Sequence, residues 1–226
     1  MQNIDFADYL QRFTSKVLWH FTGYSKKDDD AFKILLSIVQ NKLLKISGRV
    51  PIVKMPSKGD RWGYQCSCMC DIPFKDLRIH TCRYGGFGIA FHKTSAIRSG
   101  HFNPVLYMHK SHTYFQIAED LIKKLETFCA ADNKLDQTLE NFLKLLGTYI
   151  KPGDLLSNIH FDIVKDQEQD NNFYYEREWR SAYDWNFRLE DVAAIMLPGQ
   201  YIQRFRTQAK AFDAISIIST EMLEAL

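Results

Sequence analysis

Asn171-Asn172-Phe173-Tyr174-Tyr175-Glu176-Arg177-Glu178-Trp179-Arg180 packs four aromatic rings, two carboxylates and two guanidinium groups into its last eight residues. The run before it, Asp166 to Asp170, is acidic and polar and reads as a solvated loop. Aromatic side chains favour extended backbone, so the stretch predicts a strand from Tyr174 to Ala182. Alternation along that strand puts Glu176, Glu178 and Arg180 on one face with Tyr174, and Tyr175, Arg177 and Trp179 on the other. Two carboxylates spaced in this way lie about 7 Å apart. Both would stay ionised if solvated or paired with arginine, and one could have a raised pKa in a dry site. The alternative is a half-exposed strand whose charges form structural ion pairs, because such networks have the same composition.

Working outward, the 226 residues suffice for one domain with a helical insertion, expected at about 115–147. At 46% hydrophobic and 14% aromatic, the chain can bury a sizeable core. A formal charge of +2 gives no polyelectrolyte signature for nucleic acid, although a local basic cleft stays open. Cys66, Cys68 and Cys70 alternate, which places them on one face of a strand instead of at zinc-knuckle spacing. Buried thiols in a reducing cytoplasm are the expectation, with no metal. Met1 to Tyr9 carries Asp5 and Asp8, and no apolar run approaches a membrane span. The expected setting is therefore cytoplasmic, with no membrane partner.

Strands are expected at Val17–Thr22, Tyr64–Asp71, Phe87–Phe91, Ile159–Val164, Val192–Leu197 and Ala214–Ser219. Helices are expected over Phe6–Lys16, from Ala31 with Asp30 as cap, from Pro73 to about Cys82, and between Gln200 and Phe212. Ile46 to Asp60, with Gly48, Pro51, Pro56 and Gly59, reads as an irregular flap. Asn103 to Tyr107 begins another extended segment. Ile117, Leu121, Leu125 and Phe128, then Leu135, Leu139, Phe142 and Leu146, recur at helical spacing and predict a hairpin of two helices. Strands, a helical insert, then strands again argue for an α+β domain.

The residues with chemistry gather at expected strand ends: His20, the His80–Tyr84 segment and the Glu176/Glu178 pair. A lone histidine is more often a structural hydrogen-bonding group, and a Tyr-Gly-Gly turn is often only a turn. The glycines of Tyr84-Gly85-Gly86-Phe87-Gly88 suggest close backbone approach by a ligand or another strand. That stretch lacks the lysine and serine of a phosphate loop. No serine-centred nucleophile elbow is present, and His101, His109 and His112 have no metal-ligand spacing.

Four motifs carry a family resemblance: Leu18-Trp19-His20-Phe21-Thr22; Cys68-Met69-Cys70-Asp71-Ile72-Pro73-Phe74; His80 with Tyr84-Gly85-Gly86-Phe87-Gly88-Ile89 and Asn103-Pro104-Val105-Leu106-Tyr107; and Tyr175-Glu176-Arg177-Glu178-Trp179-Arg180. In order and spacing they resemble the AbiG-type abortive-infection family, the "i" component of that phage-resistance pair. The resemblance implies a partner protein from the same defence operon, and an antitoxin-like part in a two-gene system. More distantly, the His-Phe-Thr strand and the late Glu-x-Glu strand are similar to the ADP-ribosyltransferase plan.

That second resemblance implies a split, mixed or antiparallel sheet with flanking helices, and NAD as substrate. It implies Glu178 as catalytic carboxylate, His20 on the adenosine ribose and Tyr84 stacking on nicotinamide, with Phe87 and Tyr107 as rivals for the stacking. Glu176, His80, Phe87, Tyr107 and Arg180 would line the substrate site. A fixed carboxylate stabilises the oxocarbenium-like cation that forms when the glycosidic bond breaks, and Glu176 could orient or deprotonate the acceptor. Lys54, Lys58 and Arg61 could meet the pyrophosphate or an acidic acceptor.

The resulting expectation is a phage-defence effector that transfers ADP-ribose to nucleic acid or protein, with His20 and Glu178 facing one cleft. The alternative is a non-enzymatic regulator that binds a partner toxin or sensor. A weaker third reading is a metal-independent nuclease using His80 and the glutamates.

Overall fold

Gly88-Ile89-Ala90-Phe91 is buried along its whole length, which requires cover on both faces of the strand it forms. A computed structural model describes residues 15–54, 61–109, 112–114, 147–153 and 176–224, with 116, 117, 120, 121, 124, 127, 138 and 141. The chain forms two compact units, 1–45 with 68–102 and 184–226, and 46–67 with 103–183. The class is α+β, with a mixed sheet and several helices.

In the first unit the strands are β1 (Val17–Phe21), β5 (Gly88–His92), β11 (Val192–Leu197) and β12 (Ser216–Ser219). The end of β4 (Arg61–Cys70) joins them through Trp19 opposite Cys70. β5 lies between β1 and β11 and is antiparallel to both. β11 and β12 are parallel, joined by the crossover helix α4 (Gly199–Gln208), as parallel neighbours require.

Helix α1 (Asp28–Asn41) buries Ala31, Phe32, Leu35 and Val39, one stripe at helical spacing. Asp30 is not its cap. The helix begins two residues earlier, and Asp28, Asp29 and Asp30 fill the first turn, where carboxylates favour the exposed N–H groups. Lys42 closes the helix in the left-handed region. Helix α4 packs Tyr201 against Phe32 and Phe87 on this side of the sheet. The core of the opposite side gathers Trp19, Ile72, Ala90 and Met196 with Leu77 of α2 (Leu77–Tyr84) and Leu223 of α5 (Thr220–Glu224). The short strands β2 (Leu43–Leu44) and β10 (Trp185–Asn186) pair with each other.

In the second unit β3 (Gly48–Lys54) pairs with β4, and β4 neighbours β9 (Glu178–Ser181). β9 pairs with β6 (Asn103–Pro104), and β7 (Leu106–His109) runs parallel to β8 (Ile150–Gly153). Gly48–Lys54 of the segment read as an irregular flap is thus a strand, and 55–60 lie outside the described residues. Its prolines misled because Pro51 sits beside an irregularity in the β3–β4 register.

Residues 113, 114, 116, 117, 120, 121, 124 and 127 are helical, as are 138, 141 and 147–149. Ile117 and Leu121, on the expected apolar stripe, are exposed. The turn expected at 131–134, the strand at 159–164 and residues 6–14 of the expected first helix lie outside the described residues. Among the described residues, no helix is long and apolar enough to cross a membrane. Cys66, Cys68, Cys70 and Cys82 are in no disulfide.

Candidate functional site

The second unit gathers the charged motif into a buried cluster. β9 starts at Glu178, four residues later than expected, and Glu176 lies before it, outside any strand. The cause is Arg177, which adopts φ +41°. A left-handed residue breaks the two-residue alternation. Glu176 and Glu178 still converge, through the kink and not through a shared strand face, because both accept hydrogen bonds from the Lys151 ammonium on β8.

Glu178 is held on both oxygens. Arg180 Nε donates to Oε1 at 2.8 Å and Arg180 Nη2 to Oε2 at 2.8 Å. Lys151 Nζ donates to the same Oε2 at 2.9 Å. Arg180 Nη1 donates to the Thr148 carbonyl at 2.9 Å, which completes the outer edge of its fork. Glu176, Glu178, Arg180 and Thr148 are all buried. The backbone N–H of Glu178 donates to Tyr107 Oη at 2.8 Å, and the Val105 N–H donates to the Glu178 carbonyl at 2.8 Å. Tyr107, assigned above to substrate, thus has its hydroxyl committed to the start of β9. Tyr107→Phe would strand that N–H and is expected to cost about 1–2 kcal/mol, read from a urea melt.

In the first unit, the β1 pleat separates residues that were expected to share a cleft. Trp19 and Phe21 stack on one face, with centroids 6.3 Å apart, so His20 and Leu18 point to the other. Tyr84 stacks on Phe21 at 5.8 Å and on His80 at 6.0 Å, which places it on the Phe21 side. His80 is buried in this stack. Phe87, a rival for the nicotinamide, is a core side chain packed edge-on to Tyr201 and Phe32. The glycines of the turn do admit a close approach, but by the protein itself. Gly85 (φ +81°) lies against Gly23, and a Cβ on Gly23 would stand 2.7 Å from the Tyr84 carbonyl.

His20 Nδ1 lies 2.7 Å from the Cys68 carbonyl, so Nδ1 carries the proton and donates. Burial pushes its pKa below 6.5, against the opposing pull of that hydrogen bond. The unfolded chain then takes up a proton at a higher pH than the fold does. Its contribution to stability is complete above about pH 6.5 and declines as pH falls through the window beneath. His20→Gln is expected to flatten that part of the stability–pH curve, measured by thermal melts at successive pH.

Two partners escaped sequence reasoning. Lys151, in Tyr149-Ile150-Lys151-Pro152-Gly153, carries no local sign of its role. Asp71 of the Cys-Asp-Ile-Pro motif is buried, with Oδ1 accepting the Ser15 N–H at 2.8 Å and Oδ2 accepting Lys93 Nζ at 2.6 Å. The acid in that motif therefore ties the start of β1 to the first residue of helix α3 (Lys93–Arg98), which follows β5. Among the described residues, no group of three or more His, Cys, Asp or Glu could hold a metal ion.

A family model described as "Putative abortive phage resistance protein AbiGi, antitoxin" matches residues 63–211, more than half of the chain. No curated protein matches, and no solved structure matches.

Proposed function

The chain belongs to the AbiGi abortive phage resistance family, and from that membership we propose that it is an antitoxin-like regulator, which binds and restrains a partner protein of the same phage-defence system. The observation that carries this reading is the family match, whose description names an antitoxin, across both the Cys-Asp-Ile-Pro and the Glu-Arg-Glu motifs.

The charged cluster supports the same reading. Transfer of ADP-ribose from NAD would need Glu178 to present an oxygen to a forming cation. Both of its oxygens are taken by Arg180 and Lys151 of its own chain. His20 and Tyr84 on opposite faces of β1 likewise form no common wall for a dinucleotide. The motif acts here as an internal brace that fixes the start of β9, which suits a surface recognised as a preformed shape.

The test is co-expression with the cognate toxin, taken as the product of the gene adjoining its own. The expected result is restored growth, with the chain alone harmless. Growth arrest by the chain alone, with labelled ADP-ribose from NAD entering protein or nucleic acid of a lysate, would overturn the reading.

A further inference from the structure

We infer that the protein grips its partner with the helical stretch that begins at residue 113, laying Tyr114, Ile117 and Leu121 into an apolar groove on the protein it restrains. This deepens the regulator reading and rests on it. Residues 113, 114, 116, 117, 120, 121, 124 and 127 are helical. Positions i, i+3 and i+7 share one face of a helix, so the three side chains form a single stripe about two turns long. Yet Tyr114 is 66% exposed, Ile117 55% and Leu121 38%. One apolar side chain at a surface needs no explanation. An aromatic and two aliphatic side chains in line, flanked by exposed Gln116, Asp120, Lys124 and Thr127, make an apolar strip within a polar rim, which marks an interaction surface. The same spacing of anchors is how an amphipathic helix enters a groove.

The first anchor is fixed before any partner arrives. The His112 carbonyl accepts the Gln116 N–H at 3.1 Å, and His112 Nδ1 accepts the Tyr114 N–H at 3.3 Å. A side chain that accepts from the second residue of a helix caps it. The imidazole also lies 5.3 Å from the Tyr114 ring. Tyr114 therefore stands on a turn whose N–H groups are already bonded, so less ordering opposes its insertion into a groove.

Area and charge decide what covers the stripe. The three side chains offer on the order of 300 Å², against about 800 Å² from each partner in a standard interface. Two copies of this chain laid stripe to stripe fall well short of that. An antiparallel pair would set Ile117 of one copy on Leu121 of the other. The two exposed Asp120 side chains would then stand level across the axis, and like charges oppose this. A groove on another protein meets the flanks of the helix as well as its stripe, and so gathers the missing area. A lipid surface is a poorer match, because it favours lysine and arginine along the polar face. That face carries Gln116, Asp120 and Thr127, with Lys124 as its one cation among the described positions from 113 to 127. The occupant that fits is an apolar groove of a protein.

The experiment measures binding of the full chain to the purified adjoining-gene product by titration calorimetry. Ile117→Asp is expected to weaken the complex about a hundredfold or more, and Tyr114→Ala about thirtyfold, the scale of anchors at the centre of an interface. Gln116→Ala, on the polar side of the same stretch, is expected to stay within about twofold. All three replace exposed side chains, so each variant is expected to melt close to the wild-type temperature. A merely structural stripe would lower melting temperature and affinity together. Tyr114→Ala keeps the test in force if Ile117→Asp fails to fold. Light scattering of the chain alone, and its sedimentation with vesicles of phosphatidylcholine and phosphatidylglycerol, are expected to be the same for wild type and Ile117→Asp. Wild-type affinity in both Ile117→Asp and Tyr114→Ala overturns the inference alone and leaves the regulator reading in place. With partner affinity unchanged, a lower mass of free Ile117→Asp overturns it in favour of a second copy, and lost vesicle binding overturns it in favour of a membrane. No complex with wild type overturns both.

Discussion

Glu178→Gln is expected to destabilise the protein by about 3–5 kcal/mol, the range for breaking a buried ion pair by removing one partner. Arg180 would remain buried, with Nε and Nη2 facing an amide in place of a carboxylate. Its exposure is 2%, so water cannot replace the lost charge. Lys151 would retain Glu176 as a counterion, which limits the damage on that side. For a chain of this length the loss corresponds to a fall in Tm of roughly 6–20 °C. A double replacement of Glu178 and Arg180 by apolar residues of similar volume is expected to cost less than Glu178→Gln alone, because no orphaned charge remains. Urea denaturation of the three proteins checks this. A Glu178→Gln protein as stable as wild type would mean that the cluster does not brace the fold.

Gly85→Ala is the second large effect, expected at about 2–6 kcal/mol. Gly85 has φ +81° and ψ +167°, a conformation almost confined to glycine, and such strain costs of order 1–3 kcal/mol. An added Cβ would also stand 2.9 Å from the Gly23 Cα and 3.2 Å from its carbonyl carbon and oxygen. These are backbone atoms that cannot rotate away, and overpacking of this kind costs typically 1–3 kcal/mol more. The Gly85 N–H also closes α2 on the Thr81 carbonyl, so a shift there would loosen the end of the helix that carries His80 and Tyr84. The comparison is Gly100→Ala. That glycine also has positive φ, but nothing stands within 4 Å of its added Cβ, so only the backbone penalty is expected. Equal losses at the two sites would show that the Gly23–Gly85 approach is not tight.

The strands that sequence could locate are those whose burial is written locally. Val17–Phe21, Gly88–His92 and Val192–Leu197 are short apolar runs between breakers, and each is a strand. Helix α1 was legible from its apolar stripe, although its start was misplaced because an acidic first turn resembles a cap. β3 was not legible. Glycine and proline normally mark loops, and only pairing with β4 makes extended backbone favourable there.

The site was legible in content but not in geometry. The Glu-Arg-Glu-Trp-Arg run announces a charge cluster, yet nothing local says that Arg177 turns left-handed. The cation that joins the two glutamates, Lys151, lies 25 residues before Glu176. A contact between distant segments leaves no periodicity in either of them. The Tyr-Gly-Gly turn signalled a close approach, by a ligand or a strand, and did not single out Gly23.

We propose that the protein acts by holding a partner. It is tested most directly by mixing the purified chain with the product of the gene adjoining its own, without NAD, and measuring the mass of the species by light scattering after size exclusion. A complex of fixed stoichiometry is expected, in which the partner loses its toxic activity both with and without NAD. Two separate peaks, with toxin activity unaffected unless NAD is supplied, would contradict it.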